Sequence, residues 1–218
     1  MINTLTQYSC IIFDLDGTLI DSFAAINEAF DAVFIRFSGR TIPFEESNSY
    51  VGVPLEELLG EIFGKENQQE AVNIFRNKYK EVCYEKTFLI KGVKELLYYL
   101  KNQGKSLNIA TNKTGSISRS LIKYLKIYDL FDHIYGVYDG LEGKPSPQMI
   151  NKIINETGFS KESSILVGDS PIDIMAAKNA EIAVLSVTSG NHTYDELKKS
   201  EPDFLCDSIG NILPPVKG

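Results

Sequence analysis

Four aspartates are the residues of this sequence whose types and spacing most clearly suggest chemistry. Asp14 and Asp16 stand two positions apart directly after a short apolar run, and Asp169 and Asp173 stand four positions apart after another. Carboxylates gathered at one site repel one another unless a cation lies among them. Their oxygens are the ligands that Mg²⁺ takes in proteins, usually together with water and a substrate phosphate. The pattern therefore predicts a site for a hard divalent cation, with Mg²⁺ as the expected cofactor.

Other polar residues near the ends of apolar runs suit a phosphate group. Thr111 and Asn112 end one such run, and Lys144 follows another. A hydroxyl, the backbone amides near Gly17 and a lysine ammonium can together hold phosphate oxygens. We therefore expect Gly17, Thr111, Asn112 and Lys144 to bind the phosphate of a substrate.

Asp14 and Asp16 could divide the catalytic work between them. Asp14, at the tip of its strand, could act as a nucleophile and form an aspartyl phosphate. Asp16 could protonate the leaving oxygen and later deprotonate water. Taken alone, an aspartate after a strand is most often a turn or cap residue. The joint placement of all these residues favours the catalytic interpretation.

The elements that must position these residues are indicated by hydrophobic patterning. From about Gly92 onward, segments of helical periodicity alternate with short apolar runs, which is typical of a parallel sheet covered by helices on both faces. We predict an α/β fold with a Rossmann-like doubly wound parallel sheet, whose ligands bind at the carboxyl ends of its strands. Strands are predicted at residues 9–13, 107–110, 134–137, 165–168 and 182–187, with a short edge strand at 203–206.

A helical insertion separates the first strand from the others. Apolar residues recur at spacings of three and four in the segments beginning at Phe23, Leu55 and Val72, with no apolar run between them. This pattern predicts three helices in a row. We therefore predict a core domain formed by residues 1–18 and 89–218, and an α-helical cap domain at residues 19–88.

Composition excludes several classes of protein. Lys and Arg total 22 and Asp and Glu total 29, and the net charge of −7 disfavours nucleic acid as a partner. No apolar run approaches the about 20 residues that span a bilayer, so no membrane association is expected. The three cysteines are far apart and form no CxxC pair, which indicates neither a disulfide framework nor a zinc site. We expect a cytoplasmic protein, either a monomer or a homodimer.

The motifs resemble those of the haloacid dehalogenase superfamily. They occur in the family's order and extend over essentially the whole chain. The triplet Thr111-Asn-Lys113 and the segment Gly52-Val-Pro-Leu55 are similar to phosphoglycolate phosphatase-like members. Four patterns of the family have a match in this sequence. DxDGT[LV] is matched by Asp14-Leu-Asp-Gly-Thr-Leu19, and a strand that ends in Thr is matched by Ile109-Ala-Thr111. KPxP is matched by Lys144-Pro-Ser-Pro147, and GDSxxDxxAAxxA is matched by Gly168–Ala180.

The resemblance implies a role for each acidic residue. Asp14 would be the nucleophile and a Mg²⁺ ligand. Asp16 would be the general acid and base, with its backbone carbonyl also reaching the metal. Asp169 would ligate Mg²⁺ and Asp173 would support it, directly or through water. Thr111 and Lys144 would bind the transferring phosphoryl group, and the insertion would correspond to the family's four-helix cap.

Three functions from different classes remain open at this stage. The leading hypothesis is a Mg²⁺-dependent phosphatase for a small phosphomonoester. A phosphosugar mutase similar to β-phosphoglucomutase is the alternative, although the acidic segment Gly52–Glu57 lacks the basic residues expected there. A non-enzymatic phosphate-binding module would not need Asp16 or the cap. The dehalogenase branch is disfavoured because its members lack the second aspartate of the first motif, present here as Asp16.

Overall fold

The computed structural model describes residues 2–212, which include a six-stranded sheet. Every pair of neighbouring strands in this sheet is parallel. Helices flank the sheet, so the predicted α/β fold is confirmed. The strands are β1 (Cys10–Phe13), β4 (Ser106–Thr114), β5 (His133–Val137), β6 (Ser164–Gly168), β7 (Ala183–Val187) and β8 (Phe204–Cys206).

The strand order is β5-β4-β1-β6-β7-β8, which places β1 at the centre. Phe13, the last residue of β1, pairs with Ile109 of β4 on one side and with Val167 of β6 on the other. The carboxyl ends of these three strands therefore meet at one edge of the sheet. The chain winds outward in both directions from β1, which is the topological switch point at which such sheets bind ligands.

Burial explains why these short runs form strands. All four residues of β1 and all five of β6 are buried. A central parallel strand has helices over both faces, so it needs apolar residues on both sides and shows no alternation. The edge strand β8 confirms the prediction at 203–206, and its three residues are only half-buried.

Helices pack against the sheet through apolar faces. In α8 (Gln148–Thr157), Met149, Ile150, Ile153 and Ile154 are buried at spacings of one, three and four, and they join the main hydrophobic cluster. The helices of this part of the chain are α1 (Ile2–Thr6), α6 (Val93–Asn102), α7 (Gly115–Tyr124), α8 (Gln148–Thr157), α9 (Pro171–Ala180) and α10 (Tyr194–Lys199). Within the described residues, no helix is long and apolar enough to cross a membrane.

The insertion contains four helices rather than the three that the periodicity predicted. They are α2 (Phe23–Ser38), α3 (Phe44–Ser49), α4 (Leu55–Phe63) and α5 (Gln68–Val82). The prediction was wrong because α3 has only six residues, mostly polar, which is too short to show a helical period. Aromatic packing forms part of this core, with the rings of Phe34 and Phe63 5.1 Å apart.

Contacts divide the chain into two units. The core unit comprises Met1–Ile20 and Leu89–Gly218, and the inserted unit comprises Asp21–Phe88. A two-stranded sheet of β2 (Ile20–Asp21) and β3 (Phe88–Leu89), missed by the sequence analysis, lies where the chain crosses between the units.

We propose that the chain has a core domain at residues 1–18 and 89–218 and a cap domain at residues 19–88. Its terminal residues, Met1 and 213–218, lie outside the described residues.

Candidate active site

A sharp turn follows β1 and brings the first motif to the edge of the sheet. Asp14 directly follows the strand, and the Gly17 amide donates a hydrogen bond to the Ile20 carbonyl at 2.8 Å. Gly17 has a φ of +80°, a conformation that other residues rarely adopt. A Cβ at this position would also lie 2.5 Å from Oδ2 of Asp169. Only glycine therefore allows the turn to pass so close to the carboxylate.

Three aspartates and a lysine form a buried cluster at this edge. Asp14, Asp169 and Asp173 each offer a carboxylate oxygen, and these oxygens lie within 4.8 Å of one another. The Lys144 ammonium contacts Oδ1 of Asp14 and Oδ1 of Asp173, both at 2.5 Å. All four side chains are buried, with Lys144 only 3% exposed. Sequence positions 14, 144, 169 and 173 are thus brought together.

Burial and mutual repulsion shape the titration of the carboxyl groups. Burial raises the pKa of Asp14 to about 6, although the Lys144 charge opposes this rise. Burial also raises the pKa of Asp169 well above its usual value, and the charges of Asp14 and Asp173 add to the effect. The cluster is therefore short of positive charge, which is the condition that favours a bound cation.

Lys144 remains charged within this cluster. Burial lowers the pKa of its ammonium, but the charges of Asp14 and Asp173 outweigh burial and raise the pKa above its usual value. An ammonium that keeps its charge can hold an anionic group beside Asp14.

Asp16 has a different cationic partner. Its two carboxylate oxygens accept hydrogen bonds from the Lys113 ammonium at 2.9 and 2.8 Å. Both side chains are mostly buried, with 9% of Lys113 and 11% of Asp16 exposed. Two aspartates separated by one residue are therefore held by two separate lysines.

Thr111 and Asn112 lie in the last part of β4. The Thr111 side chain is buried, and its hydroxyl accepts a hydrogen bond from the Lys113 amide at 3.2 Å. The Asn112 side chain donates to the Lys144 carbonyl at 2.9 Å and accepts from the Lys144 amide at 2.7 Å. Asn112 thus anchors the backbone that carries Lys144, and phosphate binding by Asn112 itself stays a prediction.

Several residues that support the cluster were missed by the sequence analysis. The Thr18 hydroxyl donates to Oδ1 of Asp169 at 2.7 Å, and the Ser170 hydroxyl donates to Oδ2 of Asp173 at 2.6 Å. Ser170 and Asp173 also form a capping box at the start of α9. The Ser-x-x-Asp spacing of Ser170 and Asp173 is the sequence signal that could have revealed this pair.

The segment after β7 also contacts the site. The Ser189 hydroxyl donates to the Gly17 carbonyl at 2.8 Å. A Cβ on Gly190 would overlap the Asp169 side chain. Because β7 is parallel to β6, its carboxyl end reaches the same edge of the sheet, and the strand-end rule applied to β7 could have found these residues.

Comparison with protein families and known proteins agrees with the geometry. The family model described as haloacid dehalogenase-like hydrolase matches residues 11–187. The protein named "Probable phosphatase IndB" of Dickeya dadantii is 32% identical, over 93% of this chain and 91% of that protein. A phosphoglycolate phosphatase of Vibrio vulnificus is 29% identical over 98% of each chain.

A solved structure shows the same fold. The haloacid dehalogenase-like hydrolase SP0104 of Streptococcus pneumoniae superposes with a TM-score of 0.84 and 30% identity, covering 92% of this chain and 94% of that one.

Proposed function

We propose a mechanism for this chain, which belongs to the haloacid dehalogenase-like hydrolase family and is a phosphatase. The chain transfers a phosphoryl group from a small phosphomonoester to Asp14 and then to water, with Mg²⁺ as cofactor. The observation that carries this proposal is the buried contact of Lys144 with Asp14, beside Asp169 and Asp173. The cluster joins a nucleophile, a cation for the phosphate and an acidic metal site.

The donor set fits a divalent cation. Asp14, Asp169 and Asp173 carry three carboxylates against one lysine charge, and their oxygens lie within 4.8 Å of one another. We assign the metal to these three carboxylates and to the backbone carbonyl of Asp16. Mg²⁺ bound there would neutralise the excess charge of the carboxylates and draw electron density from the phosphoryl oxygens.

In the first half of the reaction, a carboxylate oxygen of Asp14 attacks the phosphorus and the bond to the leaving oxygen breaks. Lys144 and the Thr111 hydroxyl hold the phosphoryl oxygens as the group transfers. Asp16 acts as the general acid that supplies a proton to the leaving oxygen, so the alcohol departs neutral.

In the second half, the Asp16 carboxylate takes a proton from water as the water oxygen attacks the phosphorus. The bond between phosphorus and the Asp14 oxygen breaks, and inorganic phosphate leaves. Asp14 returns as a carboxylate and Asp16 as an acid, so both residues are ready for another turnover.

The substrate proposed is a small phosphomonoester similar to 2-phosphoglycolate. The support for it is the Vibrio vulnificus phosphoglycolate phosphatase, together with the Thr111-Asn-Lys113 triplet. A phosphosugar mutase is the alternative, and analysis of the sugar products would reveal it as isomerisation of a hexose 1-phosphate without net release of phosphate.

The test is phosphate release from p-nitrophenyl phosphate, 2-phosphoglycolate, sugar phosphates and nucleoside monophosphates. Each substrate is incubated with Mg²⁺, with chelator, and with Asp14→Asn. Asp132→Asn is the matched control, because Asp132 precedes β5 and pairs with Lys101 at the opposite edge of the sheet. We expect release to need Mg²⁺ and Asp14 but not Asp132. Release that persists in Asp14→Asn would refute the assignment.

A further inference from the structure

The first motif contains two aspartates whose charges are compensated separately. Lys144 contacts Asp14 and Asp173, whereas Lys113 contacts both oxygens of Asp16. The function of Lys144 follows from the phosphoryl transfer proposed above. That mechanism gives Lys113 no task, although its side chain is almost as buried as the reacting residues.

Asp16 contacts Lys113 and does not join the acidic cluster. Among the described residues, the carboxylates close enough to share a metal ion are those of Asp14, Asp169 and Asp173. Asp16 is not among them, although it is only two residues from Asp14. A fourth carboxylate in this group would be drawn to a bound cation and would lose its freedom to transfer protons.

The backbone of β4 explains how a lysine reaches this position. Pairing between β4 and β5 is regular from Asn108 to Thr111 and shifts before Thr114. Such an irregularity changes the direction in which side chains leave a strand, and it often occurs beside active sites. Lys113 lies within the shifted segment, and its amide is tied to the Thr111 hydroxyl at 3.2 Å.

We propose that Lys113 is a positioning residue for Asp16. Its ammonium fixes the Asp16 carboxyl group in line for proton exchange with the leaving oxygen and keeps it out of the metal site. The proposal rests on the function proposed above. Because the Lys113 ammonium contacts both oxygens of Asp16, it restricts the directions in which this carboxyl group can turn.

A difference between leaving groups distinguishes this role from a structural one. p-Nitrophenolate departs readily without a proton, whereas an alkoxide needs one. A misplaced Asp16 should therefore slow the hydrolysis of an alkyl phosphomonoester more than that of p-nitrophenyl phosphate. A loss of folding or of phosphate binding would slow both substrates alike.

The experiment compares kcat/KM for these two substrates in the wild type, Lys113→Met and Lys113→Arg. General acid catalysis contributes about 10²–10⁴-fold. We expect Lys113→Met to lower the alkyl-to-nitrophenyl ratio about tenfold or more, up to the full contribution of general acid catalysis. Lys113→Arg keeps a cation in the contact and should restore most of the ratio.

Two further variants make the result specific. Lys101→Met removes another Lys–Asp pair of the core unit, joined to Asp132 at 2.7 Å, and should leave the ratio unchanged. In an Asp16→Asn background, Lys113→Met should lower the ratio no further, because the residue that it positions is already disabled. Lys113→Gln serves as the second variant if Lys113→Met does not fold.

An equal loss of both activities in Lys113→Met, or an additive effect in the Asp16→Asn background, would overturn the proposal for Lys113 while leaving the phosphatase function intact. Absence of turnover by the wild type on every phosphomonoester would overturn both. The role of Lys113 would be supported by a ratio that falls in Lys113→Met and recovers in Lys113→Arg. The ratio should also fall no further when Lys113→Met is added to Asp16→Asn.

Discussion

Asp169 lies where the needs of catalysis and of stability conflict. Burial and the neighbouring charges of Asp14 and Asp173 raise the pKa of its carboxyl group, so the metal-free protein holds this charge at a cost. We expect Asp169→Asn to raise the melting temperature in chelator, because an amide can still accept the Thr18 hydrogen bond without a charge. The same variant should lose the stabilisation that we expect Mg²⁺ to give to the wild type.

Thermal unfolding with chelator and with Mg²⁺ provides the measurement. Asp132→Asn, an exposed aspartate of the core unit, should keep the response to Mg²⁺. A wild-type Mg²⁺ response retained in Asp169→Asn would contradict the assignment of Asp169 as a metal ligand.

Asp14 should give the metal-free protein a characteristic dependence on pH. Its pKa rises from 3.8 to about 6 on folding, so the folded state binds more protons than the unfolded state between these values. The free energy of unfolding should therefore fall as the pH rises through this window, by at most about 3 kcal/mol for a shift of this size. Asp14→Asn should lack this component.

Urea unfolding in chelator across the same pH window tests this expectation. The difference between wild type and Asp14→Asn reports the Asp14 carboxyl group together with its repulsion of Asp169. An identical pH dependence in the two proteins would show that the folded and unfolded pKa values of Asp14 do not differ.

At the residue scale, the sequence identified the acidic residues that cluster in the structure better than the residues that support them. Asp14, Asp169 and Asp173 each lie at a strand end or one turn beyond it, where a simple rule finds them. Thr18 and Lys113 act through contacts with residues distant in sequence, which patterning alone does not describe. Ser170 contacts Asp173 at a capping-box spacing that the sequence does show.

At the scale of elements, the capping box of α9 links helix stability to the site. The Ser170 hydroxyl caps the helix and also contacts Asp173, a member of the acidic cluster. We expect Ser170→Ala to cost about 1 kcal/mol of stability. It should also lower kcat, because Asp173 loses a hydrogen bond that orients it toward Lys144.

Helix α10 provides the matched control for this prediction. Thr193 and Glu196 form the same type of capping box there, in an exposed position. Thr193→Ala should cost a similar amount of stability with no change in kcat. Equal effects of the two substitutions on kcat would contradict the proposed link between the α9 cap and the site.

Helices and strands could be predicted from the sequence where burial imposes a clear pattern of apolar residues. The continuous apolar runs of β1 and β6 reflect strands covered on both faces, and the buried stripe of α8 reflects a helix packed on one side. The short helix α3 and the two-residue strands β2 and β3 have too few residues to show a period. Tertiary contacts rather than local patterning specify such elements.

At the scale of the whole molecule, the core unit contains every residue of the candidate active site. Leu19 and Ile90 lie just outside the inserted unit, Asp21–Phe88, and the Ile90 amide donates to the Leu19 carbonyl at 3.0 Å. The two ends of the insertion are therefore close enough to be joined by a short linker. We expect a chain in which a glycine–serine linker replaces residues 21–88 to fold, because its hydrophobic core is retained.

Such a shortened chain should keep Mg²⁺-dependent phosphate release from p-nitrophenyl phosphate. Circular dichroism would establish folding, and Asp14→Asn in the same shortened chain is the control. A folded core without activity would show that the inserted unit supplies a residue required for chemistry.

The central claim is that the phosphoryl group passes through Asp14, and its most direct measurement is the detection of that group on the protein. Wild-type protein is mixed with Mg²⁺ and substrate, quenched in acid during turnover, digested and analysed by mass spectrometry. We expect the peptide that contains Asp14 to gain the mass of one phosphoryl group, and this signal to vanish in Asp14→Asn. Continued turnover with no phosphoryl group on Asp14, or with one on another residue, would contradict the mechanism.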